Sequence, residues 1–353
     1  MIKINILKSI IPPFWIYYKN FLFSKKESVF VQPGNNIYIF LAANYGNLGD
    51  VAITVAQHNI LCEMFPNYNI VEIPANCSYG FLKGVISKIR KDDLITFVGG
   101  GNMGDLYPLY ENIRQIVVSL LPENKIIQFP VTVDFSETRI GNMMMNYATR
   151  IYRKHNQFKI MARERKSAMI LSNMLNTEIH AIPEIVLTLN ADNLFYKSNR
   201  KGIALCLRND KESSIGSKAK MEIESTLLQK GFNVDLIDTT VDDETINLNN
   251  KELVLRKCLD KFSQYKLVIT DRLHGMIFSY ITGTPCIVFP NSNNKTRNCY
   301  EWIKESGYVF FMDSFDILQF QEKVKTLSWS YPNLTDVSER RRRFVEMIHK
   351  EIL

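Results

Sequence analysis

Ile37-Tyr38-Ile39-Phe40-Leu41-Ala42-Ala43-Asn44-Tyr45-Gly46-Asn47-Leu48-Gly49-Asp50 is the stretch that decides the fold class of this 353-residue chain. A continuous apolar run reads as a strand buried on both faces. It ends in glycines, which permit a sharp turn and a close approach of backbone to a ligand. A carboxylate follows, and then Ile53, Ala56, Ile60 and Met64 recur at helical spacing. Strand, glycine turn and helix make one unit of a parallel α/β sheet. The same pattern returns at Leu94-Ile95-Thr96-Phe97-Val98, followed by Gly100-Gly101-Asn102-Met103-Gly104-Asp105. Helix starts offer N–H groups suited to an anion. Two such loops at the carboxyl ends of neighbouring strands are therefore expected to face one ligand crevice.

The alternation continues along the chain. Strands are expected at Ile70–Ile73, at Ile126–Phe129 (stopped by Pro130) and at Lys159–Ala162, with an amphipathic helix over Ile140–Arg153. The polar, aperiodic stretch Asn190–Lys201 reads as a linker. Beyond it, strands are expected at 203–207, 234–237, 267–270 and 286–289. Helices are expected at 217–230, 251–264, 274–282, 298–306 and 315–327. The expected organisation is a segment over 1–30, a domain over 31–195 and a second over 196–353. The fold class is α/β, two Rossmann-like domains facing across a cleft.

A composition 46% hydrophobic and 22% charged belongs to an ordinary globular protein. The formal charge of +7 favours an acidic partner, but the basic residues form no stripe with interleaved aromatics, so nucleic acid is not expected. Six cysteines fall singly, without CxxC or metal-like spacing, and read as free thiols of a reducing cytosol; no metal site is expected. Ile4–Phe23 is apolar and aromatic, but Lys8, Pro12, Pro13 and Lys19 interrupt it. A spanning helix needs about 20 mostly apolar residues without such breaks. The segment reads either as an interfacial anchor or as packing on the protein. The run Arg340–Arg343 reads as a solvated helix face.

The most specific signal is Leu267-Val268-Ile269-Thr270-Asp271-Arg272-Leu273-His274-Gly275-Met276. An apolar strand delivers an Asp, an Arg and a His into a turn that opens an apolar helix. Arg272 can bind a phosphate or carboxylate bidentately, and His274 can move a proton near neutral pH. The bland alternative has Asp271 capping the helix and the other two making structural hydrogen bonds. Arg163, Arg165 and Arg208 also stand at strand ends. Glu184 reads as a hydrogen-bonding residue near the linker.

Gly46-Asn47-Leu48-Gly49-Asp50, Gly99-Gly100-Gly101-Asn102, Arg163, Arg208, Asp271-Arg272-Leu273-His274-Gly275 and Thr282-Gly283-Thr284-Pro285 resemble, in this order, the polysaccharide pyruvyl transferase family. The resemblance covers roughly residues 37 to 330. It implies two Rossmann-like domains in the manner of GT-B glycosyltransferases. It also implies transfer of pyruvate from phosphoenolpyruvate to a sugar, forming a cyclic ketal on a bacterial surface glycan. The family associates the residues matching Arg163, Arg272 and His274 with phosphoenolpyruvate; Leu273 and Arg208 complete the expected donor-binding set. Gly46, Asn47, Gly100, Gly101 and Asn102 are expected on the acceptor side. Glu184 departs from the family, where an Asp in a Pro-Asp-Pro context is common.

Ketal formation needs a proton at the methylene carbon of the donor. His274, held by a neighbouring carboxylate, is the expected general acid, a role typically worth ~10² to 10⁴ in rate. Asp50 or Asp105 would orient or deprotonate the sugar hydroxyls, unless they only cap helices. No metal or redox cofactor is expected. The expected partners are phosphoenolpyruvate, an undecaprenyl-linked or other glycan acceptor and peripherally an anionic membrane, with the protein on its cytoplasmic side. Two rivals share the architecture or the ligand class: a GT-B nucleotide-sugar glycosyltransferase and a non-catalytic carbohydrate-binding protein. A dehydrogenase is disfavoured. Gly99–Gly104 satisfies G-x-G-x-x-G, but Glu123, at the right distance for the ribose, precedes the next strand instead of ending it.

Overall fold

The computed structural model describes residues 13–192, 200–210, 213–243, 246–292, 294–327 and 333–353. The chain divides into two compact units. The first holds the described residues up to Asn44, with Ile53–Ile185 and Ile348–Leu353. The second holds Tyr45–Ala52 and the described part of Val186–Met347. Most of the expected linker, 193–199, lies outside the described residues.

The first unit contains α1 (Pro13–Phe23), β1 (Asn36–Ala42), most of α2 (Leu48–Met64), β2 (Asn69–Pro74), α3 (Tyr79–Ile86), β3 (Leu94–Phe97), β4 (Gly100–Gly104), α4 (Pro108–Leu120), β5 (Ile126–Asp134), α5 (Arg139–Lys154), β6 (Phe158–Ala162) and α6 (Arg165–Leu175). Its six strands run β2-β1-β3-β5-β6, all parallel, with β4 taking over from β3 along the second half of β5. All seven residues of β1 are buried, as helices on both faces of a parallel sheet require.

Two expectations are corrected here. The strand at 126–129 does not stop at Pro130; it continues to Asp134. Proline has no N–H for a ladder, so it normally avoids a central strand. Here the pairing shifts between Gln128 and Val131 on the β6 side, while Val98–Gly99 separates β3 from β4 on the other. The Gln128 amide fills the break, donating to the Val98 and Phe129 carbonyls at 2.8 and 2.9 Å. The second glycine segment is likewise no loop: Gly100–Gly104 is itself β4. Gly104 has a φ of 148°, and a Cβ there would stand 1.8 Å from the Asp134 carbonyl oxygen, so only glycine fits beside β5.

Beneath β4 lies a wholly buried charge. Arg114 and Glu111, both with fully buried side chains, pair at 2.5 Å. Arg114 also donates to the Gln128 and Asn102 side-chain oxygens at 2.7 and 2.5 Å. Glu111 receives the Gln115 amide at 3.0 Å and the Tyr152 hydroxyl at 2.5 Å.

At the N-terminus the two readings of the apolar segment divide by residue, with its first part, up to residue 12, outside the described residues. Phe21 is buried edge-on to Tyr79, with the Lys83 ammonium over its ring at 5.4 Å. Lys83 also donates to the Leu22 and Ser24 carbonyls that end α1. Trp15, Leu22 and Phe23 are 54%, 52% and 81% exposed. Among the described residues no helix is long and apolar enough to cross a membrane.

The second unit contains β7 (Ile203–Cys206), α7 (Ser217–Gln229), β8 (Val234–Leu236), α8 (Lys251–Ser263), β9 (Leu267–Thr270), α9 (Leu273–Ile281), β10 (Cys286–Val288), α10 (Lys295–Tyr300), β11 (Val309–Phe311), α11 (Ile317–Leu327) and α12 (Leu334–Ile352), the last ending in the first unit. Five parallel strands run β11-β10-β9-β7-β8. Ile203, Leu205, Leu267, Ile269 and Ile287 meet Ile223 and Leu227 of α7 and Phe320 and Val324 of α11 in one core. The helix expected at 298–306 is shorter. Trp302 and Ile303 donate to carbonyls three residues back, so the chain tightens after Tyr300 into turns. Arg340, Arg341 and Arg342 pair with Glu305, Asp192 and Glu346. All six cysteines are free thiols, Cys206, Cys286 and Cys299 buried and Cys62 exposed.

Replacing Arg114 with alanine leaves Glu111 charged and buried without its partner. The expected loss is about 3–5 kcal/mol in urea unfolding, the range for breaking a buried pair. A loss below about 1 kcal/mol would show that water or a rearranged Gln115 replaces the guanidinium.

Candidate active site

The site is built at the carboxyl end of β9. Thr270 ends that strand, its hydroxyl donating to the Cys206 carbonyl at 2.8 Å and accepting from the Arg272 N–H at 3.0 Å. Arg272 is the N-cap of α9 and makes no side-chain cap. The first-turn N–H groups of α9, from Leu273 onward, lack acceptors inside the helix and carry the positive end of its dipole. Arg272 reaches Asp238, two residues past β8, with Nη2 to Oδ2 at 2.6 Å. Asp238 has no signal in the sequence: it lies outside any motif and meets Arg272 only because β7 and β9 are neighbours and β8 flanks β7.

His274 is the second residue of α9, its ring 6.0 Å from that of Phe278. Against it lies the first glycine loop, which belongs to the second unit. A Cβ on Gly49 would stand 2.0 Å from His274 Nδ1 and 2.5 Å from Cγ, so the imidazole rests on bare backbone. Asn47 is the cap of α2: its Oδ1 accepts from the Gly49 N–H at 3.0 Å. Its Nδ2 donates to Asp50 Oδ2 at 2.8 Å, and the Tyr45 hydroxyl reaches the same oxygen at 3.0 Å. Asp50 is thus the N3 carboxylate of a helix start, held by two donors beside the histidine.

Asp271 does not cap α9. It is fully buried and turns the other way, accepting from the Arg208 N–H at 2.8 Å and the Ser213 hydroxyl at 2.9 Å. Burial raises its carboxyl above the usual range. The carboxylate next in sequence to His274 therefore organises the loop after β7 instead. Arg208 itself is gripped by Asp210, Nε to Oδ1 at 2.9 Å and Nη2 to Oδ2 at 2.7 Å.

In the first unit, Arg163 follows β6 and is buried. Its Nη1 donates to Glu184 at 2.6 Å and its Nε to the Thr132 hydroxyl at 2.6 Å. Glu184 is therefore the counter-charge of Arg163, a pairing that 21 residues of sequence separation conceal. Burial raises the Glu184 carboxyl, and Arg163 opposes that shift. Asp105 spends both oxygens on Ser136, accepting its N–H at 2.8 Å and its hydroxyl at 2.5 Å. It caps no helix; Tyr107 starts α4. Asn102 is also engaged at both ends, to the Gly99 carbonyl and to Arg114, while Gly100 and Gly101 lie within β4. Since Gly99–Gly104 leads into and forms that strand, it is not the strand-to-helix turn of a dinucleotide site. Among the described residues no three His, Cys, Asp or Glu side chains gather as a metal cluster.

Comparison with known proteins decides the family. The description "Polysaccharide pyruvyl transferase" matches residues 47–293, which hold Asp50, Arg163, Arg272 and His274. The chain belongs to the polysaccharide pyruvyl transferase family. Membership makes it a transferase of pyruvyl groups in polysaccharide biosynthesis, with a glycan acceptor. It is 32% identical over 308 residues to general stress protein 30 of Bacillus subtilis (strain 168), covering 86% of this chain and 88% of that one. It is 27% identical over 293 residues to pyruvyl transferase 1 of Schizosaccharomyces pombe, covering 77% and 72%. An uncharacterised protein of Klebsiella pneumoniae shares the fold, at 18% identity and a TM-score of 0.51 over 85% of this chain and 96% of that one. The α/β class with two Rossmann-like, GT-B-type units is thereby shown.

Gly49→Ala is expected to keep the fold and, if the imidazole takes part in the chemistry, to lose turnover on the order of 10²-fold, the effect of a displacement of about 1 Å. Turnover within about threefold of wild type would show that the imidazole has room to move.

Proposed function

We propose that the protein transfers the pyruvyl group of phosphoenolpyruvate to two hydroxyls of one sugar, galactose or another hexose of a lipid-linked glycan precursor, and closes a cyclic pyruvate ketal. The observation that supports this best is the pairing of Arg272 and His274 across the first turn of α9. An anion at that turn meets the helix dipole and a guanidinium, and an imidazole stands two residues along. Arg163, Leu273 and Arg208 complete the donor-binding set of this reading.

The residues then act as follows. Imidazolium His274 gives its proton to C3 of the donor; the C2=C3 electron pair forms the new C–H bond and leaves C2 electrophilic. One sugar hydroxyl attacks C2 and loses its proton to a base. The second hydroxyl attacks C2 as the bond to the bridging oxygen breaks; its proton passes to the imidazole that gave one up, and inorganic phosphate leaves. The sequence is redox-neutral, and this reading assigns it no metal or redox cofactor. Asp50 suits the base better than Asp105, because its loop carries the glycine against His274 whereas both Asp105 oxygens serve Ser136. The glycine loop at Gly46 and Asn47, with Gly100, Gly101 and Asn102, supplies the acceptor side through backbone more than through the Asn102 side chain.

Incubation with phosphoenolpyruvate and lipid-linked saccharides is expected to yield a pyruvyl mass gain and phosphate in equal amounts. His274→Ala abolishes both while leaving donor binding; a loss of no more than about tenfold excludes a general acid. Arg163→Ala and Arg272→Ala each weaken donor binding strongly in calorimetry, whereas Arg340→Ala does not, since Arg340 lies within α12 and not at a strand end. A melting temperature raised by a nucleotide diphosphate and not by phosphoenolpyruvate would instead support glycosyl transfer.

A lipid-linked acceptor lies at a bilayer, and we place the exposed Trp15, Leu22 and Phe23 with Lys19, Lys25 and Lys26 against anionic headgroups. Leu22→Ser, Phe23→Ser and Lys25→Glu together are expected to lower co-sedimentation with anionic liposomes several-fold without affecting a short soluble acceptor. Equal sedimentation of mutant and wild type would remove this face from membrane contact.

A further inference from the structure

Arg272 and His274 are joined by a second route besides the single residue of chain, Leu273, between them. Asp238 uses both carboxylate oxygens: Oδ2 accepts from Arg272 Nη2 at 2.6 Å, and Oδ1 accepts from the Thr240 N–H at 2.9 Å, closing a turn. That turn is the start of a strap laid on the glycine loop. The Thr239 carbonyl accepts from the Leu48 N–H at 2.9 Å, and Thr240 bridges Asn47. The Val241 N–H donates to the Gly46 carbonyl at 2.8 Å, and Asp243 Oδ1 accepts from the Gly46 N–H at 2.6 Å. The loop so fixed presents Gly49 to the imidazole. Contacts therefore run in a closed ring: Arg272, Asp238, the strap, the glycine loop, His274 and back along α9. The ring lies wholly within the second unit.

We infer that Asp238 is a positioning residue, which sets Arg272 and, through the strap over residues 239–243, holds the glycine loop in register against His274. The inference rests on the reading of Arg272 as donor-binding and His274 as proton donor. Geometry, more than charge, is what Asp238 supplies. Its side chain is 44% exposed, and exposed ion pairs contribute little by Coulomb attraction alone. The same carboxylate shapes the turn and grips the arginine, so its removal frees both ends of the strap together. Asparagine retains the size and one acceptor oxygen; alanine retains neither.

The test uses the full-length chain, with Asp238→Ala and Asp238→Asn compared in two ways. In pyruvyl-transfer kinetics, the alanine variant is expected to raise KM for phosphoenolpyruvate and lower kcat, each about tenfold. The asparagine variant is expected to recover most of both, to within about threefold. In NMR of histidine-labelled protein, with the His274 signal assigned by His274→Gln among five histidines, Asp238→Ala is expected to shift the imidazole resonances and Asp238→Asn to restore them. Unchanged kinetics and spectrum in a folded alanine variant overturn the inference. An asparagine variant as impaired as alanine in both readouts also overturns it, assigning the effect to charge. Should wild type transfer no pyruvyl group while the spectrum still responds to Asp238→Ala, the donor reading fails and the positioning role stands.

Discussion

The imidazole of His274 rests on the main chain of Gly49, and the second unit is arranged around that approach. A side chain on Gly49 would enter the ring, so the residue is glycine for reasons of space. The approach holds only if the loop is pinned, and it is pinned from three sides: by the Asn47 cap, by Asp50 with its two donors, and by residues 239–243 lying along Gly46 to Leu48. The helix that presents His274 starts where β9 ends, and β9 sits between β7 and β10 in the middle of a five-stranded sheet. A strand paired on both sides gives α9 and its histidine a fixed origin.

The first unit spends its polar groups differently. Two buried charge pairs, Arg114 with Glu111 and Arg163 with Glu184, stand near the ends of β4 and β6. Burying ions carries a desolvation penalty that a hydrophobic substitute would avoid, so such pairs are weak as sources of stability. Their geometry points to order instead. Arg114 holds Asn102 and Gln128, the two amides that stitch the broken pairing around Gly99 and Pro130. Glu184 and Thr132 fix the guanidinium of Arg163 in one orientation. A glycine-rich strand and a proline-bearing strand side by side lack side-chain packing and one N–H; the buried network supplies the missing constraints.

Much of this was legible beforehand. The apolar runs at 37–41, 203–207, 267–270 and 286–289 fall on β1, β7, β9 and β10, because a strand covered on both faces has no polar positions to confuse the reading. The helices between them announced themselves by spacing. Less legible was any element whose local signals conflict. Pro130 reads as a stop, yet β5 passes through it, since a side-chain amide satisfies the carbonyls the proline disrupts. Gly100–Gly104 reads as a loop, yet it is a strand, with Gly104 so close to β5 that a Cβ would meet the Asp134 carbonyl oxygen.

The sequence by itself determined the α/β class, the two successive sets of strands, and the Arg272–His274 pair at a strand end, all of which depend on residues within one turn or one strand of each other. Only the tertiary structure decided which donor each carboxylate serves. Asp271 turns to Arg208 and Ser213, Asp238 reaches Arg272, Glu184 reaches Arg163, and Asp105 goes to Ser136. A carboxylate engages whichever donor the sheet order sets beside it, and that order is fixed by burial of apolar strands far along the chain. Local pattern carries no record of it, because the free energy that chooses the neighbours lies in the core and not in the charged residues themselves.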